Sequence, residues 1–224
     1  MNTDALFTVY RKLEEHFGDL HWWPAKTKDE VAIGAILVQN VSWANTAKAV
    51  ERLKSEGLLS LSSLQDASLE CIETQIVSTR FYKTKAKKLK AFASYFIANW
   101  NGDWHKLGSA GLVTARRSLL SVWGIGPETA DDILLYAAEL PIFVIDTYTK
   151  RVFSRLGFTD ETISYENLQK WFMDQLPHDT SLFNQYHALI DALGHHTCLS
   201  KKPLCHLCTL QSLCAFGIQR ISQA

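Results

Sequence analysis

Hydrophobic residues recur every three or four positions along most of the chain, which is the spacing of one buried face of an α-helix. Leu6, Tyr10, Leu13 and Phe17 keep this spacing near the N-terminus. The pattern predicts helices over residues 3–17, 28–39, 43–55, 68–77, 84–99, 111–122, 127–139, 147–156, 164–175 and 181–194. Polar or glycine-containing breaks are clearest at residues 57–63, 101–103 and 157–163. One run, residues 141–145, is strand-like but too short to build a sheet, so we expect an all-α protein.

Composition narrows the class of protein. Of the 224 residues, 47% are hydrophobic and 21% are charged, which is typical of a globular protein and excludes a disordered or fibrous chain. The length allows one large domain or two compact lobes. No apolar stretch approaches the roughly 18–20 residues of a membrane span, and the N-terminus has no signal-peptide pattern. We therefore expect a cytoplasmic protein with no membrane partner.

The charges of the chain cancel, but they are unevenly distributed. There are 23 Lys and Arg residues against 23 Asp and Glu residues, so the overall balance does not indicate a polyanionic partner. Residues 80–90, however, contain one arginine, five lysines and no acid. Such a run is commonly a solvated helix face, and it also suits contacts with phosphate groups. The run alone does not decide between these interpretations.

Four of the five cysteines lie close together near the C-terminus, in the spacing C-x6-C-x2-C-x5-C. They are Cys198, Cys205, Cys208 and Cys214. Three interpretations are open: two disulfides, a structural zinc site and an iron–sulfur cluster. Disulfides are disfavoured in a chain of this size without a secretory signal. A metal site is therefore the better interpretation, and the spacing alone does not separate zinc from iron–sulfur.

The segment from residue 119 to residue 157 begins with the pattern of two helices joined by a tight turn. Gly124, Ile125 and Gly126 form the predicted turn, where glycine accepts a positive φ angle, and Pro127 suits the first position of the next helix. A glycine-rich hairpin that faces a helix N-terminus presents backbone N–H groups to a phosphate oxygen. The same residues also fit a plain helical turn.

The hairpin helix is followed by an apolar run, residues 142–145, that leads directly into Asp146 and another predicted helix. An aspartate at this place is expected to be an N-cap. The apolar segment before it also holds it rigidly, as a catalytic acid requires. The two roles are compatible.

Several segments together resemble the endonuclease III branch of the helix–hairpin–helix DNA glycosylase superfamily. They are G-I-G-P-E-T-A at residues 124–130, F-V-I-D-T-Y-T-K-R-V at 143–152, I-L-V-Q-N at 36–40, F-Y-K-T-K-A at 81–86 and the cysteine spacing. The resemblance implies a six-helix lobe over residues 28–139 and a second helical lobe over residues 1–27 and 140–224. It also implies a [4Fe–4S] cluster on the four cysteines of residues 198–214, and a monomer that binds double-stranded DNA containing a damaged base.

The resemblance assigns roles to individual residues. Asp146 is expected to stabilise the sugar cation, and Glu128 stands where lyase-active members carry the lysine that attacks the sugar. A carboxylate cannot form a Schiff base, so lyase activity is not expected, and Glu128 is expected to contact the base or to position water. Gln39 is expected to fill the space that the extruded base leaves. The residues expected to bind DNA are Gln39, Asn40, Gly124, Gly126, Thr129, Lys83, Lys85 and Lys150.

Glu128 and the tryptophans near the N-terminus are similar to the bacterial 3-methyladenine glycosylase subgroup of this branch. The expected base pocket consists of Trp22, Trp23, Pro24 and Trp43. Their aromatic faces attract a cationic base by roughly 0.5–2 kcal/mol, and the alternative role of these residues is core packing. Some members of the subgroup lack the four cysteines that this chain retains.

The favoured function is therefore a monofunctional DNA N-glycosylase of base excision repair that flips out and hydrolyses an alkylated purine. Two alternatives stay open. One is an endonuclease III-like glycosylase for oxidised pyrimidines or mismatched bases, and the other is a non-catalytic DNA-binding iron–sulfur protein. In each case the protein is expected to act in the cytoplasm, associated with the nucleoid.

Overall fold

The chain is predominantly helical in the computed structural model, which describes residues 3–221. No β-strand occurs in this range, so the predicted all-α fold is confirmed. The α-helices are α1 Thr3–Phe17, α2 Lys28–Leu37, α3 Trp43–Ser55, α4 Leu61–Asp66, α5 Leu69–Gln75, α6 Tyr82–Trp100, α7 Trp104–Ser109, α8 Leu112–Leu120, α9 Pro127–Asp132, α10 Thr147–Leu156, α11 Tyr165–Gln175, α12 Thr180–His196 and α13 Ala215–Ile221. A π-helix covers Ile133–Ala137, and 3-10 helices cover Cys205–Leu207 and Gln211–Leu213. Within residues 3–221, no helix combines the length and the apolar character needed to cross a bilayer.

One helix lies where the sequence predicts a break. Helix α4 begins at Leu61, inside the predicted break at residues 57–63. Ser60 caps this helix: its hydroxyl accepts a hydrogen bond from Ser63 N–H, and the Ser63 hydroxyl accepts one from Ser60 N–H. This reciprocal capping stabilises a helix of only six residues.

The helix after the hairpin also differs from the prediction. It is predicted over residues 127–139, but it is α-helical only to Asp132 and continues as the π-helix, in which Ala138 N–H donates to Ile133 O. All five residues of this π-helix are buried. The strand-like run at residues 141–145 forms no strand and leads into α10. The ten predicted segments are therefore helical, apart from this change of helix type, and the sequence pattern misses α4, α7 and α13.

The helices belong to two compact units. One unit, the discontinuous unit, comprises the residues up to Trp22 and those from Pro141 onward. The other, the continuous unit, comprises Trp23–Leu140. The lobe expected from the sequence covers residues 28–139, whereas the continuous unit begins five residues earlier and ends one residue later. The boundary at its start separates the adjacent residues Trp22 and Trp23.

The core of the continuous unit is built around α2. Residues 31–37 are all buried, which accounts for a helix that is apolar on every side. They pack against the buried residues 133–138. At the start of α2, the carboxylate of Asp29 accepts hydrogen bonds from Trp104 Nε1 at 2.8 Å and from Leu61 N–H at 2.9 Å. These bonds attach α4 and α7 to the central helix.

The core of the discontinuous unit is largely aromatic. Phe143 stacks on Phe172, with 3.9 Å between the ring centroids, and meets Tyr186 edge-on at 5.7 Å. All of residues 142–145 are buried. This packing fixes the backbone immediately before Asp146.

Candidate active site

Helices α8 and α9 and the turn between them form the helix–hairpin–helix. Gly124 in the turn has a φ of +85°, a value that favours glycine, and Pro127 takes the first helical position of α9. Across the turn, Arg116 of α8 donates two hydrogen bonds, of 2.7 and 3.1 Å, to the buried carboxylate of Asp131. This bidentate ion pair holds the two helices in a fixed relation.

Gln39 ties the hairpin to the rest of the continuous unit. Its Nε2 donates to Gly124 O at 3.2 Å and to Thr129 Oγ1 at 2.8 Å, and its Oε1 accepts a hydrogen bond from Lys88 Nζ at 2.5 Å. Three residues predicted to bind DNA, Gln39, Gly124 and Thr129, are thereby brought together. Lys88 is a fourth member that the sequence pattern does not distinguish from the other lysines. The next residue, Asn40, is exposed and has a φ of +56°.

Replacing Gly124 by alanine is expected to destabilise the protein by about 1–2 kcal/mol. The left-handed backbone strains a residue with a Cβ, and that Cβ would lie 2.6 Å from Cγ of Lys88, so Lys88 would have to move away from Gln39. Urea denaturation measures the change in the free energy of unfolding. Gly126→Ala is the matched control, because a Cβ there meets no atom within 4 Å. Equal losses in both variants would contradict this account.

The basic run of residues 80–90 is not one uniformly exposed face. Lys83 is exposed, whereas Lys85 is 2% exposed and donates from Nζ to Leu37 O at 2.7 Å. Burial, followed by the charge of Lys88, lowers the pKa of Lys85 to about 8. The expectation that Lys85 contacts DNA is therefore corrected: its ammonium group links α6 to α2 inside the unit.

Of the four residues expected in a base pocket, Trp23, Pro24 and Trp43 lie in the continuous unit. Trp23 packs edge-on against Trp43 and in a tilted arrangement against Tyr136, with 5.3 Å between ring centroids in each pair. Pro24 is exposed. Trp22 belongs to the discontinuous unit, where it lines a surface groove with Tyr10, Glu14 and Asp19. The two adjacent tryptophans therefore have different surroundings.

Two exposed aromatic side chains mark the surface of the continuous unit. Trp123, which precedes the hairpin glycine, is 59% exposed. Phe81, which precedes α6, is 65% exposed, and the Arg80 guanidinium lies 5.6 Å from its ring centroid. Large exposed apolar side chains are informative because they mark contact surfaces. Trp123 is not among the residues predicted from the sequence, although a tryptophan beside a glycine-rich turn is a recognisable feature.

In the discontinuous unit, Asp146 is the N-cap of α10, as predicted. Its Oδ1 accepts a hydrogen bond from Thr149 N–H at 2.6 Å. Its Oδ2 lies 3.9 Å from Nε2 of His187, and the side chains of Asp146 and His187 are 12% and 8% exposed. The carboxylate is therefore mostly withdrawn from water, and one of its oxygens is used for capping.

A second acid lies near Asp146. Asp191 follows His187 by four residues on α12, so both side chains are on the same face of that helix. Burial raises the pKa of Asp191 to about 7, the charge of Asp146 adds to the effect, and Arg151 opposes it. Burial lowers the pKa of His187, against the effect of Asp146. The sequence pattern does not reveal these residues, because only the packing of α12 on α10 brings them to Asp146.

The remaining predicted residues are found at helix starts. Glu128 is exposed in the first turn of α9, where the helix dipole favours an acid. Gly126 is the N-cap of the same helix. Lys150 lies half-buried on α10, one turn after Asp146. Glu128 thus belongs to the continuous unit, whereas Asp146 and Lys150 belong to the discontinuous unit.

The four clustered cysteines converge on one cavity. Cys198, Cys205, Cys208 and Cys214 line it together, and none of the four is in a disulfide. Burial raises the pKa of Cys208 and of Cys214, and the neighbouring sulfurs add to the effect. Among residues 3–221, no group of three or more His, Cys, Asp or Glu side chains is arranged to hold a single metal ion. Four sulfurs around one cavity are a donor set that fits an iron–sulfur cluster.

Arg155 fastens α10 to the cysteine loop. Its Nη1 donates to Sγ of Cys198 at 3.3 Å and to Leu199 O at 2.7 Å. The guanidinium also lies 4.9 Å from the ring centroid of Phe216. The helix that Asp146 caps therefore has its other end attached to the cysteine loop.

Comparison with known proteins identifies the family. The family model of HhH-GPD superfamily base excision DNA repair proteins matches residues 33–178, and the chain belongs to this superfamily. The matched segment contains the hairpin and Asp146.

Two relatives cover nearly the whole chain. A protein of Methanocaldococcus jannaschii, whose name assigns it provisionally to the DNA repair glycosylases, is 38% identical over 213 residues, which are 94% of this chain and 96% of the relative. The endonuclease III of Sulfolobus acidocaldarius is 30% identical over 202 residues, which are 88% of this chain and 86% of the relative.

Solved structures show the same fold. A trapped endonuclease III–DNA covalent intermediate, an estranged-adenine complex, has a TM-score of 0.84 at 24% identity and is matched over 99% of both chains. The 3-methyladenine DNA glycosylase of H. pylori, bound to 1,N6-ethenoadenine, has a TM-score of 0.76 at 22% identity, over 86% of this chain and 97% of that chain. At these identities the likeness establishes the fold alone.

Proposed function

We propose that this protein is a monofunctional DNA N-glycosylase of base excision repair, which flips an alkylated purine out of double-stranded DNA and hydrolyses its N-glycosidic bond. The observation that carries the proposal is Glu128, an exposed acid in the first turn of α9. Lyase-active members of the family have a lysine nucleophile at this position. We further propose that the protein acts as a monomer on nucleoid DNA in the cytoplasm.

The proposed chemistry needs little acid catalysis. Alkylation of a purine ring nitrogen puts a positive charge on the base and weakens its bond to C1′ of the sugar. The carboxylate of Asp146 then stabilises the oxocarbenium-like sugar and orients a water molecule. The water oxygen bonds to C1′, the base leaves with the electron pair of the broken C–N bond, and a water proton passes to Asp146 or to solvent. No covalent bond to the enzyme forms in this mechanism.

The aromatic side chains of the continuous unit support the choice of a cationic base. Trp23 and Trp43 meet edge-to-face with Tyr136 beside them, and an aromatic face attracts a cation by roughly 0.5–2 kcal/mol. The negative charge of Glu128 favours the same kind of base. We propose that Trp23 and Trp43 select the alkylated ring and that Glu128 contacts its edge or positions water.

DNA binding is proposed for the hairpin and for two lysines. The backbone N–H groups of Gly124 and Gly126 hold a phosphate, and Lys83 of the continuous unit and Lys150 of the discontinuous unit each add positive charge. The resemblance assigns to Gln39 the role of filling the space that the flipped base leaves. Because the amide of Gln39 bonds the hairpin, we propose instead that Gln39 keeps the hairpin in shape and that the exposed Asn40 fills this space.

We propose that the four clustered cysteines bind a [4Fe–4S] cluster as thiolates. Their convergence on one cavity supports this, and the bound cluster would cross-link the loop of residues 198–214. Iron and acid-labile sulfide analysis of the purified protein tests the proposal. Cys208→Ser is expected to lose iron, whereas Cys71→Ser, at the exposed cysteine outside the cluster loop, is expected to keep it.

Chromatography of the bases released from methylated genomic DNA tests the substrate class. Free 3-methyladenine or 7-methylguanine is expected, and oligonucleotides containing oxidised pyrimidines, uracil or mismatches are expected to be left intact. Release of oxidised pyrimidines alone would support the endonuclease III-like alternative. DNA binding without release of any base would support the non-catalytic alternative.

Glu128→Lys is expected to create a covalent adduct that borohydride traps on damaged DNA and that the wild-type protein lacks. A lysine at this place supplies the amine that attacks C1′. Denaturing electrophoresis of the trapped protein–oligonucleotide complex measures it. The matched control is Glu166→Lys, which exchanges another exposed acid in the first turn of a helix. An adduct formed equally well by the wild-type protein would contradict the monofunctional assignment.

A further inference from the structure

Behind Asp146 lies a group of titratable side chains that the proposed mechanism does not use. Helix α12 packs along α10 and places Nε2 of the buried His187 3.9 Å from Oδ2 of Asp146. Asp191, which is partly buried, follows His187 by about one helical turn on the same face. The side chain of Asp191 is therefore part of the surroundings of Asp146.

The titratable and charged side chains around Asp191 come from both helices. Asp146 and Arg151 act on its charge, and its own charge acts on Tyr148. His187 lies beside Asp146, and the ring of His195 meets that of Tyr148. Helix α1 also packs on α12, where Tyr10 meets Tyr186, whose hydroxyl donates to Leu6 O. The group thus contains two carboxylates and a single cation that is charged at every relevant pH, Arg151.

The guanidinium group of Arg151 is held by hydrogen bonds to two backbone oxygens. Its Nε donates to Cys198 O and its Nη2 donates to Gly194 O, each at 2.8 Å. The guanidinium also lies 4.9 Å from the ring centroid of Tyr148. Asp191 therefore faces the like charge of Asp146, which raises its pKa, and the opposite charge of Arg151, which lowers it.

The two acids have different places on their helices. Asp146 caps the N-terminus of α10 and accepts the Thr149 N–H. Asp191 lies inside α12, on the face that carries His187 and packs on α10. Burial raises the pKa of Asp191 to about 7 and lowers the pKa of His187. Asp191 is therefore the member that changes charge near neutrality.

We infer that Asp191 is a positioning residue that sets the charge behind Asp146: its ionised form adds a second negative charge to the field at the sugar and speeds departure of the base. This inference rests on the proposed glycosylase function. Its consequence is a rate of base release that rises with pH through neutrality. Asp191 acts through Asp146 and needs no contact with the DNA.

Single-turnover rates of base release from a methylated duplex test the inference, at saturating enzyme and from about pH 5.5 to pH 8.5. The wild-type rate is expected to rise about threefold to tenfold over this range, with a midpoint near pH 7. Asp191→Asn is expected to give a flat profile at the lower rate. Asp174→Asn, which removes an exposed acid of α11, should keep the wild-type profile. An Asp191→Asn profile that superimposes on the wild-type profile would overturn the inference.

Carboxyl ¹³C NMR tests the coupling without any activity. The Asp191 signal, assigned by its loss in Asp191→Asn, is expected to titrate near pH 7 in the wild-type protein. In Asp146→Asn its midpoint is expected to fall by about one pH unit, because the charge of Asp146 is gone. An unchanged midpoint would refute the inference even if base release is observed. A wild-type protein that shows the coupling and releases no base would refute the proposed function instead.

Discussion

Replacing Asp146 by asparagine is expected to slow base release by about 10²–10³-fold and to leave the fold and the affinity for DNA unchanged. Asparagine keeps the side-chain oxygen that accepts Thr149 N–H and is as good an N-cap as aspartate, so α10 begins at the same residue. What the variant loses is the negative charge that stabilises the sugar cation in the proposed mechanism. Single-turnover rates on a methylated duplex, measured beside equilibrium DNA binding, separate the two effects.

The chain offers a closely matched control for this exchange. Asp179 caps α12 in the same way, with its Oδ1 accepting Leu182 N–H at 2.7 Å, and it is exposed. Asp179→Asn is therefore expected to retain the wild-type rate. If Asp146→Asn also released base at the wild-type rate, Asp146 would be a helix cap alone, and the proposed mechanism would be wrong.

The parts of the site that adjacent residues determine are predictable from the sequence. Helix α10 has the predicted bounds because Asp146 caps its start and Gly157, with a φ of +87°, ends it. The hairpin is equally local, since it depends on Gly124 and Pro127 within a few residues of each other. Helices α1 and α3 also have the bounds that the hydrophobic spacing predicts.

Contacts between distant segments are not encoded in this way. The bond from Gln39 to Thr129 and the approach of His187 to Asp146 depend on how helices pack, and no short-range pattern reports them. Residues 31–37 of the central helix α2 are apolar on all sides. An amphipathic pattern therefore does not show which side of this helix packs against which neighbour.

The basic run of residues 80–90 is a second case, in which the sequence does not show which charged side chains are exposed. Residues two positions apart on a helix point in different directions, so Lys83 is exposed while Lys85 is buried against Leu37 O. Both are lysines in one run without acids, and composition gives them the same role. A prediction of DNA contacts from such a run therefore overcounts the lysines that reach the surface.

Arg116→Met is expected to lower the free energy of unfolding by about 3–5 kcal/mol. The guanidinium donates to both oxygens of Asp131, whose side chain is 0% exposed, while that of Arg116 is 24% exposed. Without the guanidinium, a buried carboxylate loses its counter-charge, which is the costly way to break an ion pair. Urea denaturation, with the slope of the transition monitored for changes in compactness, measures the loss.

Two further variants separate the ion pair from general effects on α8. Arg117→Met exchanges the exposed neighbour of Arg116 and is expected to change stability by no more than about 0.5 kcal/mol. Arg116→Met combined with Asp131→Leu is expected to recover much of the loss, because removing both charges leaves no buried carboxylate to compensate. If Arg116→Met were as stable as Arg117→Met, the ion pair would not hold α8 to α9. The geometry of the hairpin would then depend on the hydrogen bonds of Gln39.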